Sequence, residues 1–418
     1  MEEVEVVELA PDERAGPPPP ELPMFLPLSP SLLQPYTIPS DQNGDGDEFK
    51  TSHCLGISHS PSTVPSKVSM MPPPIPKLLE SPQREDEERE AFITLDPSGF
   101  FIRHPPKPHN LDSYITHDDD LFQTIHMGAA VVDPEKWRLV VTGLVQRPFT
   151  LDLETIKYMP RKTIVSFHEC FGSPVKPATE ALWRVGNVKW TGVPLKHILQ
   201  LAEPLSTATF VWSEGLDRGE FFGVRADRYQ KDLPIAKAMS EEVLLAYEIN
   251  GQTLSKQRGG PVRLIVPGWF GTNSTKWISK IELREHRATG PYVTTFYNEP
   301  DPEGPEGALR PVWRVEVNSL ISRPIPESTM QRPDVMIEGW AWHEEPVVRV
   351  DLSVDEGSQW QAAKLESRVD FSWQRFHCEM QLQPGEYTVV ARATSADGKV
   401  QPLKGRRNHC HSVKFTVV

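Results

Sequence analysis

Of the 42 prolines in this 418-residue chain, 17 lie within the first 90 residues, which limits where a fold can form. Proline fixes φ and lacks an amide donor, so runs such as Pro17–Pro20 and Pro72–Pro74 support neither helix nor ladder. The segment also holds 17 Asp+Glu against 6 Lys+Arg and few aromatics, leaving little to bury. Residues 1–90 are therefore expected to be a disordered acidic tail. Its Asp41, Asn43, Asp45 and Gly46 imitate the start of a calcium loop, but position twelve is Ser52 rather than a bidentate Glu, so a polar linker is expected. The run Glu85–Glu90 reads as a solvated approach to the first folded element.

The tail carries −11 of the formal charge of −13, so the other 328 positions have no dominant sign. That balance argues against nucleic-acid binding, which needs a concentrated basic face. No run of about 18 apolar residues is present to span a membrane. The start MEEVEVVELAPDER lacks the features of a secretory or mitochondrial leader, and KFTVV at the end is no peroxisomal signal. Cys54, Cys170, Cys378 and Cys410 form no CxxC pair, which fits free thiols in a reducing compartment. A cytoplasmic location is expected.

Beyond Phe100 the texture changes. Lys136–Val145, Thr163–Cys170, TATFVWSE, EVLLAYEING and Pro261–Gly268 read as strands; Leu151–Met159 and Val193–Glu203 read as helices. Residues 91–300 are thus expected as a mixed α+β domain. A Pro/Gly-rich linker, Asn298–Pro311, precedes six strand-like runs at intervals of about 10–15 residues with no helical pattern. Residues 310–418 are expected as a β-sandwich of immunoglobulin-like type. Within it, alternation places Val348, Val350, Leu352 and Val354 on one face.

Two places could carry chemistry. Cys170 ends an apolar strand and opens the turn Cys170-Phe171-Gly172-Ser173-Pro174, where a thiolate serves as nucleophile or soft-metal ligand, and an inert buried cysteine is the alternative. His168 shares its strand face, as a catalytic partner or a packed core residue. In Gly259–Trp277, glycines flank a strand and its exit, followed by Thr272, Asn273, Ser274, Thr275 and Lys276. Small residues, hydroxyls and the cations Arg263 and Lys276 suit a phosphorylated cofactor, with a structural glycine turn as the alternative. It is not a Walker loop, since GxxxxGK[ST] is absent.

Four blocks in order resemble the sulfite oxidase family over roughly residues 100–418: Leu121–Val145; Phe167–Pro177 with Leu182–Leu195; EGLD, LPIAKAM and LAYEINGQTL; and Gly259–Leu283. The resemblance implies a molybdenum–molybdopterin cofactor, a catalytic domain followed by an immunoglobulin-like dimerisation domain, and therefore a homodimer. It implies Cys170 as the thiolate ligand of molybdenum. Phe122, His126 and Asp217 fall on cofactor-contacting positions, and Arg263, Ser274, Thr275 and Lys276 on those that hold the pterin and its phosphate. Trp183 and Tyr297 correspond to residues lining the substrate pocket. Trp340, Trp342 and Trp373 are candidate core or interface aromatics.

The chain departs from the family pattern at three places. Thr124 stands where the opening block normally has Arg, the residues after Cys170 lack the usual pair of arginines, and Arg258 replaces a cofactor-binding His. A desolvated dianion needs compensating cations, for which Arg258, Lys176, Arg184 and His168 are candidates. No HPGG-type signature of a haem domain occurs, so no haem is expected and electrons would go to an external acceptor. The implied activity is oxygen-atom transfer to a small anion, sulfite giving sulfate. The alternatives are reductive transfer from nitrate or a sulfoxide, and a non-catalytic scaffold that retains the fold.

Overall fold

A computed structural model describes residues 76–78, 93–173, 183–301, 304–405 and 407–418. The expected tail, its calcium-loop look-alike, Glu85–Glu90 and Lys176 fall outside the described residues. The exception is Lys77–Leu78, a short edge strand paired with Phe149 and Thr150.

Two sheets build the first half. One has six strands, in the order Lys77–Leu78, Phe149–Asp152, Arg138–Gly143, Ile278–Arg284, Phe210–Gly215 and Gln230–Pro234. Its neighbours are antiparallel except Arg138–Gly143 beside Ile278–Arg284. In the other, Lys162–Glu169 pairs with Val185–Pro194, which pairs with Leu244–Ile249, whose further partners are Gln252–Thr253 and Arg263–Ile265. Faces from both sheets meet in one apolar cluster that includes Val141, Leu151, Val193, Leu245, Leu264 and Ile281.

Every strand named in the sequence is present, and both helices are shorter than their patterns. Leu153–Tyr158 begins where the Asp152 carboxylate accepts from the Thr155 amide at 2.7 Å, satisfying one otherwise unpaired first-turn N–H. Leu195–Ala202 buries Leu195, Ile198, Leu199 and Ala202, the stripe expected of a helix lying on a sheet. At eight residues it is the longest helix among the described residues, so the expected α+β balance is corrected to a mostly stranded domain.

Five of the six expected C-terminal runs form strands where expected, and the first, Trp313–Leu320, is strand only from Asn318 onward. The sheet Asn318–Arg323, Asp334–Trp342, Gln374–Gln381 and Lys364–Leu365 faces the sheet Ser328–Met330, Ser412–Val417, Gly385–Ser395, Val347–Ser353 and Gln361–Ala362. Ile337 and Phe376 of the first meet Val350, Ala391 and Phe415 of the second in a shared core. One detail of the alternation fails. Val348 is exposed and Val347 buried, because the ladder shifts register between Val347 and Arg349 and turns the strand over there.

The two ends of the expected linker form a ladder: Asn298–Pro300 pairs with Leu309–Pro311, and Arg310 bonds the Glu299 carboxylate. The three tryptophans are covered by the chain itself. Trp340 stacks on Trp373 at 4.5 Å, and their indole N–H groups donate to the Leu111 and Tyr114 carbonyls of the first half. Trp342 is fully buried and donates to Glu169. One apolar cluster, which includes Phe167, Phe171, Trp183, Trp340, Trp342 and Trp373, therefore joins the two halves.

Candidate molybdopterin site

The strand Lys162–Glu169 delivers Cys170 to the wall of a cavity. Pairing with Val185–Pro194 fixes the strand, and the Cys170 amide continues the ladder by donating to the Arg184 carbonyl at 2.9 Å. The turn then closes with the Ser173 amide on the Cys170 carbonyl at 2.8 Å. Donors surround the sulfur: the Gly172 amide is 3.4 Å from Sγ, the Thr124 hydroxyl 3.8 Å and a nitrogen of the Arg184 guanidinium 3.9 Å.

Phe122, His126, His168, Cys170, Asp217, Arg258, Arg263, Ser274, Lys276 and Tyr297 all line this cavity. Residues separated by up to 175 positions thus converge on one space, as the resemblance implied. Three candidates, Thr275, Trp183 and Arg184, are not among the residues that line it. The Thr275 hydroxyl turns away to Ser213 at 2.7 Å. Trp183 lies in the core between the halves, edge-on to Trp342 at 5.8 Å and beside His411, and does not line the cavity. The loss of the expected pocket contact follows from its full burial against the C-terminal sandwich.

The cavity is built for negative charge. Arg263 is 3% exposed, and its guanidinium donates to the Arg258 and Ser274 carbonyls while its Nε is buried with no partner among the described residues. Burial, reinforced by Arg258, pushes its pKa down to about 9. Lys276 donates to the Thr124 carbonyl, and burial followed by repulsion from Arg263 pushes its pKa down to about 7. Burial pushes Asp217 up to about 7 despite Lys276, and its Oδ1 is buried without a partner among the described residues. For both groups desolvation outweighs their mutual attraction. Leaving such groups uncompensated costs several kcal/mol, so the unpaired Nε of Arg263 fits an acceptor such as an anionic oxygen and the unpaired Oδ1 of Asp217 fits an N–H donor of a guest. The donor set therefore fits molybdopterin and its phosphate.

Arg258 has a different task. Its guanidinium is spent on the Asp118 carboxylate at 2.6 Å and on the carbonyls of Asp118, Leu121 and Phe122. It clamps the loop that presents Phe122 to the cavity. His168 stacks on Phe122 and meets the Trp190 ring edge-on. A side chain on Gly271 would strike its Nε2 at 2.8 Å, so the missing Cβ is what admits the imidazole. His126 bonds the Tyr297 hydroxyl at 2.6 Å, and burial, with Lys276 next, pushes its pKa down to about 3. It is neutral at physiological pH.

Sequence reasoning missed Arg407, Glu169 and Tyr229. Arg407 reaches from the sandwich to donate to the Phe171 carbonyl beside Cys170, and its guanidinium carbon lies 3.6 Å from the Phe171 ring centroid. No local pattern announces a contact across 236 residues. Glu169 had a signal: it is the one charged residue in TIVSFHEC. Tyr229, stacked on His126 and bonded to Thr272, had none. Among the described residues no three His, Cys, Asp or Glu side chains form a group that could hold a metal ion. No helix there is long and apolar enough to cross a membrane.

Comparison with known proteins agrees with this geometry. Residues 126–292 match the oxidoreductase molybdopterin binding domain, and residues 310–414 match the Mo-co oxidoreductase dimerisation domain. Human mitochondrial sulfite oxidase is 29% identical over 349 residues, 77% of this chain and 63% of that protein. The chain thus spans a little under two thirds of that relative's length. The NADH nitrate reductase of Ulva prolifera is 26% identical, over 63% of this chain and 35% of its own. Among solved structures, the sulfane dehydrogenase SoxCD from Paracoccus pantotrophus superposes with a TM-score of 0.67 at 25% identity, covering 84% of this chain and 93% of that one. With both domain types present in order, and a cavity whose donors suit the cofactor, the chain belongs to the sulfite oxidase family of molybdopterin-dependent oxidoreductases.

Proposed function

We propose that this chain oxidises a small sulfur oxyanion, sulfite in the first instance, with Cys170 as the protein ligand of molybdenum. The observation that carries this reading is the cation pair at the sulfur. The Arg184 guanidinium stands 3.9 Å from Sγ, and Arg407 grips the adjoining Phe171 carbonyl. Together they supply the positive charge that a dianion needs on leaving water, at a place where Thr124 has replaced an arginine. Tyr297, its hydroxyl held by His126, adds an oriented donor.

The bound cofactor would supply two-electron oxygen-atom transfer. Around it, Arg263, Lys276 and Ser274 would hold the phosphate and pterin, Asp217 would accept from the pterin ring, and Phe122 would pack against it. Arg258 keeps the Phe122 loop in place. Electrons would pass to an external acceptor, and two chains would associate through residues 310–418, the region we read as immunoglobulin-like. Residues 1–90 and 91–300 would be the tail and catalytic domain, in a cytoplasmic protein.

Thr124 also favours a second reading. With one cation fewer at that position, the pocket suits singly charged or neutral oxides used in the reducing direction. Turnover of sulfite with ferricyanide, measured beside nitrate and sulfoxides with a reduced dye, separates the two. Sulfite turnover that collapses in Arg184→Met supports the first; exclusive reduction of oxides refutes it.

A further inference from the structure

Glu169 immediately precedes Cys170, and strand alternation sends its side chain away from the cavity into the junction between the halves. There it is 1% exposed. Its Oε2 accepts from the Trp342 indole N–H at 2.7 Å, and its Oε1 from the Asn318 amide at 3.4 Å. Both partners belong to the C-terminal sandwich, and both are buried. Behind them the Asn318 carbonyl oxygen accepts from Gln401 at 3.2 Å, and Gln401 accepts from the Ser319 hydroxyl at 2.7 Å. Gln401 and Ser319 are fully buried. A polar chain therefore runs from the residue next to Cys170 into the heart of the sandwich.

Burying a carboxylate in an otherwise apolar strand is costly, and a hydrophobic side chain would join the two halves more cheaply. What an apolar contact lacks is direction: two donors aimed at two oxygens fix the rotation of the peptide that follows. That peptide carries the sulfur. On the other side of the turn, the Ser173 amide binds the Cys170 carbonyl and the Ser173 hydroxyl lies beside Glu169. The turn is thus pinned at both ends.

We propose that Glu169 is a positioning residue through which Trp342 and Asn318 of the sandwich set the orientation of the Cys170 thiolate toward molybdenum. This rests on the reading of Cys170 as the metal ligand. Supporting side chains behind a metal ligand typically contribute 10–100-fold in affinity or activity.

The test uses the full-length holoprotein and the variants Trp342→Phe, Glu169→Gln and Glu169→Ala, with molybdenum and pterin per chain, thermal midpoint, the sulfur-to-molybdenum charge-transfer absorption, kcat and KM measured for each. Trp342→Phe keeps an aromatic ring but loses the indole N–H together with the pyrrole half of the side chain, and the thermal midpoint reads the cost of that lost volume separately. The variant is expected to keep pterin, shift the charge-transfer band and lower kcat about tenfold with KM unchanged. Glu169→Gln retains an oxygen for Trp342 and is expected to lie between wild type and Glu169→Ala. Molybdenum-loaded wild type with an unaltered band and kcat in Trp342→Phe overturns the proposal, even where Glu169→Ala fails to fold. Wild type that carries pterin but shows no sulfur-to-molybdenum absorption overturns the assignment of Cys170 itself, and the proposal with it.

Discussion

Lys276 makes cofactor retention depend on pH in a direction that can be calculated. Burial and the neighbouring Arg263 push its pKa down to about 7, so the cofactor-free protein holds a half-protonated amine at pH 7. A phosphate facing it is a dianion above pH 7, its second pKa being about 6, and binds the protonated amine. The bound lysine therefore returns to its ordinary range near 10, and binding above pH 7 takes up a proton. Between pH 7 and 9 the protonated fraction falls from about one half to about one hundredth, a loss of about 50-fold in affinity or roughly 2.3 kcal/mol. Anaerobic gel filtration of holoprotein at the two pH values, with pterin fluorescence read on the protein fraction, measures the loss. In Lys276→Arg the guanidinium keeps its proton at pH 9, and the slope disappears. Equal retention at pH 7 and 9 in wild type, or an unchanged slope in Lys276→Arg, refutes the reasoning.

Tyr297→Phe removes the hydroxyl that His126 bonds at 2.6 Å and keeps the ring, so KM for sulfite should rise several-fold and stability fall by about 1–3 kcal/mol, checked by steady-state kinetics and denaturant titration. Gly271→Ala places a Cβ 2.8 Å from His168 Nε2 and 3.2 Å from the Glu169 carbonyl. A cost of about 1–3 kcal/mol is expected in the cofactor-free protein, and an unchanged unfolding midpoint would remove His168 from that wall. In the sandwich, His411 Nδ1 accepts from the Ile321 amide at 2.9 Å, and burial pushes its pKa down to about 4. A lowered folded-state pKa gives stability that is present above pH 6.5 and lost as the pH falls toward 4. The stability gap between wild type and His411→Phe should therefore shrink by about 3 kcal/mol across that window.

Short-range patterns carried most of the fold. Short apolar runs such as Phe210–Gly215 and Lys162–Glu169 announced their strands because each is largely buried within a sheet. The stripe in Leu195–Ala202 announced its helix for the same reason. Val348 was misplaced because a register shift is set by the partner strand, which alternation along one segment does not encode. In the site, Cys170 and Lys276 were legible because each stands in a motif with its own chemistry. Trp183 was not, since the same buried indole serves equally in a pocket wall or, as here, against Trp342. Arg407 was invisible because its whole meaning lies in the Phe171 carbonyl it reaches.

The departures from the family pattern gain a physical account once the cations are located. Of the four residues considered as replacements for the missing arginines, Arg258 is committed to the loop Asp118–Phe122, and its donors are spent there. His168 is pushed well below its ordinary pKa by burial and then by Arg263, so it brings no charge. Lys176 lies outside the described residues. Arg184 remains, with a geometric reason for its reach: Gly172 has no Cβ, and one built there would meet the guanidinium at 2.8 Å. The absence of side-chain bulk at Gly172 is what lets an arginine from the neighbouring strand lean across the turn to the sulfur. On the proposed reading, Arg184 would supply beside Cys170 the positive charge that Thr124 does not. A Gly172→Val chain should consequently lose the Arg184 approach without any change to the arginine itself. Its KM for sulfite should rise as far as that of Arg184→Met, and a KM equal to wild type would mean that Arg184 plays no part in capture.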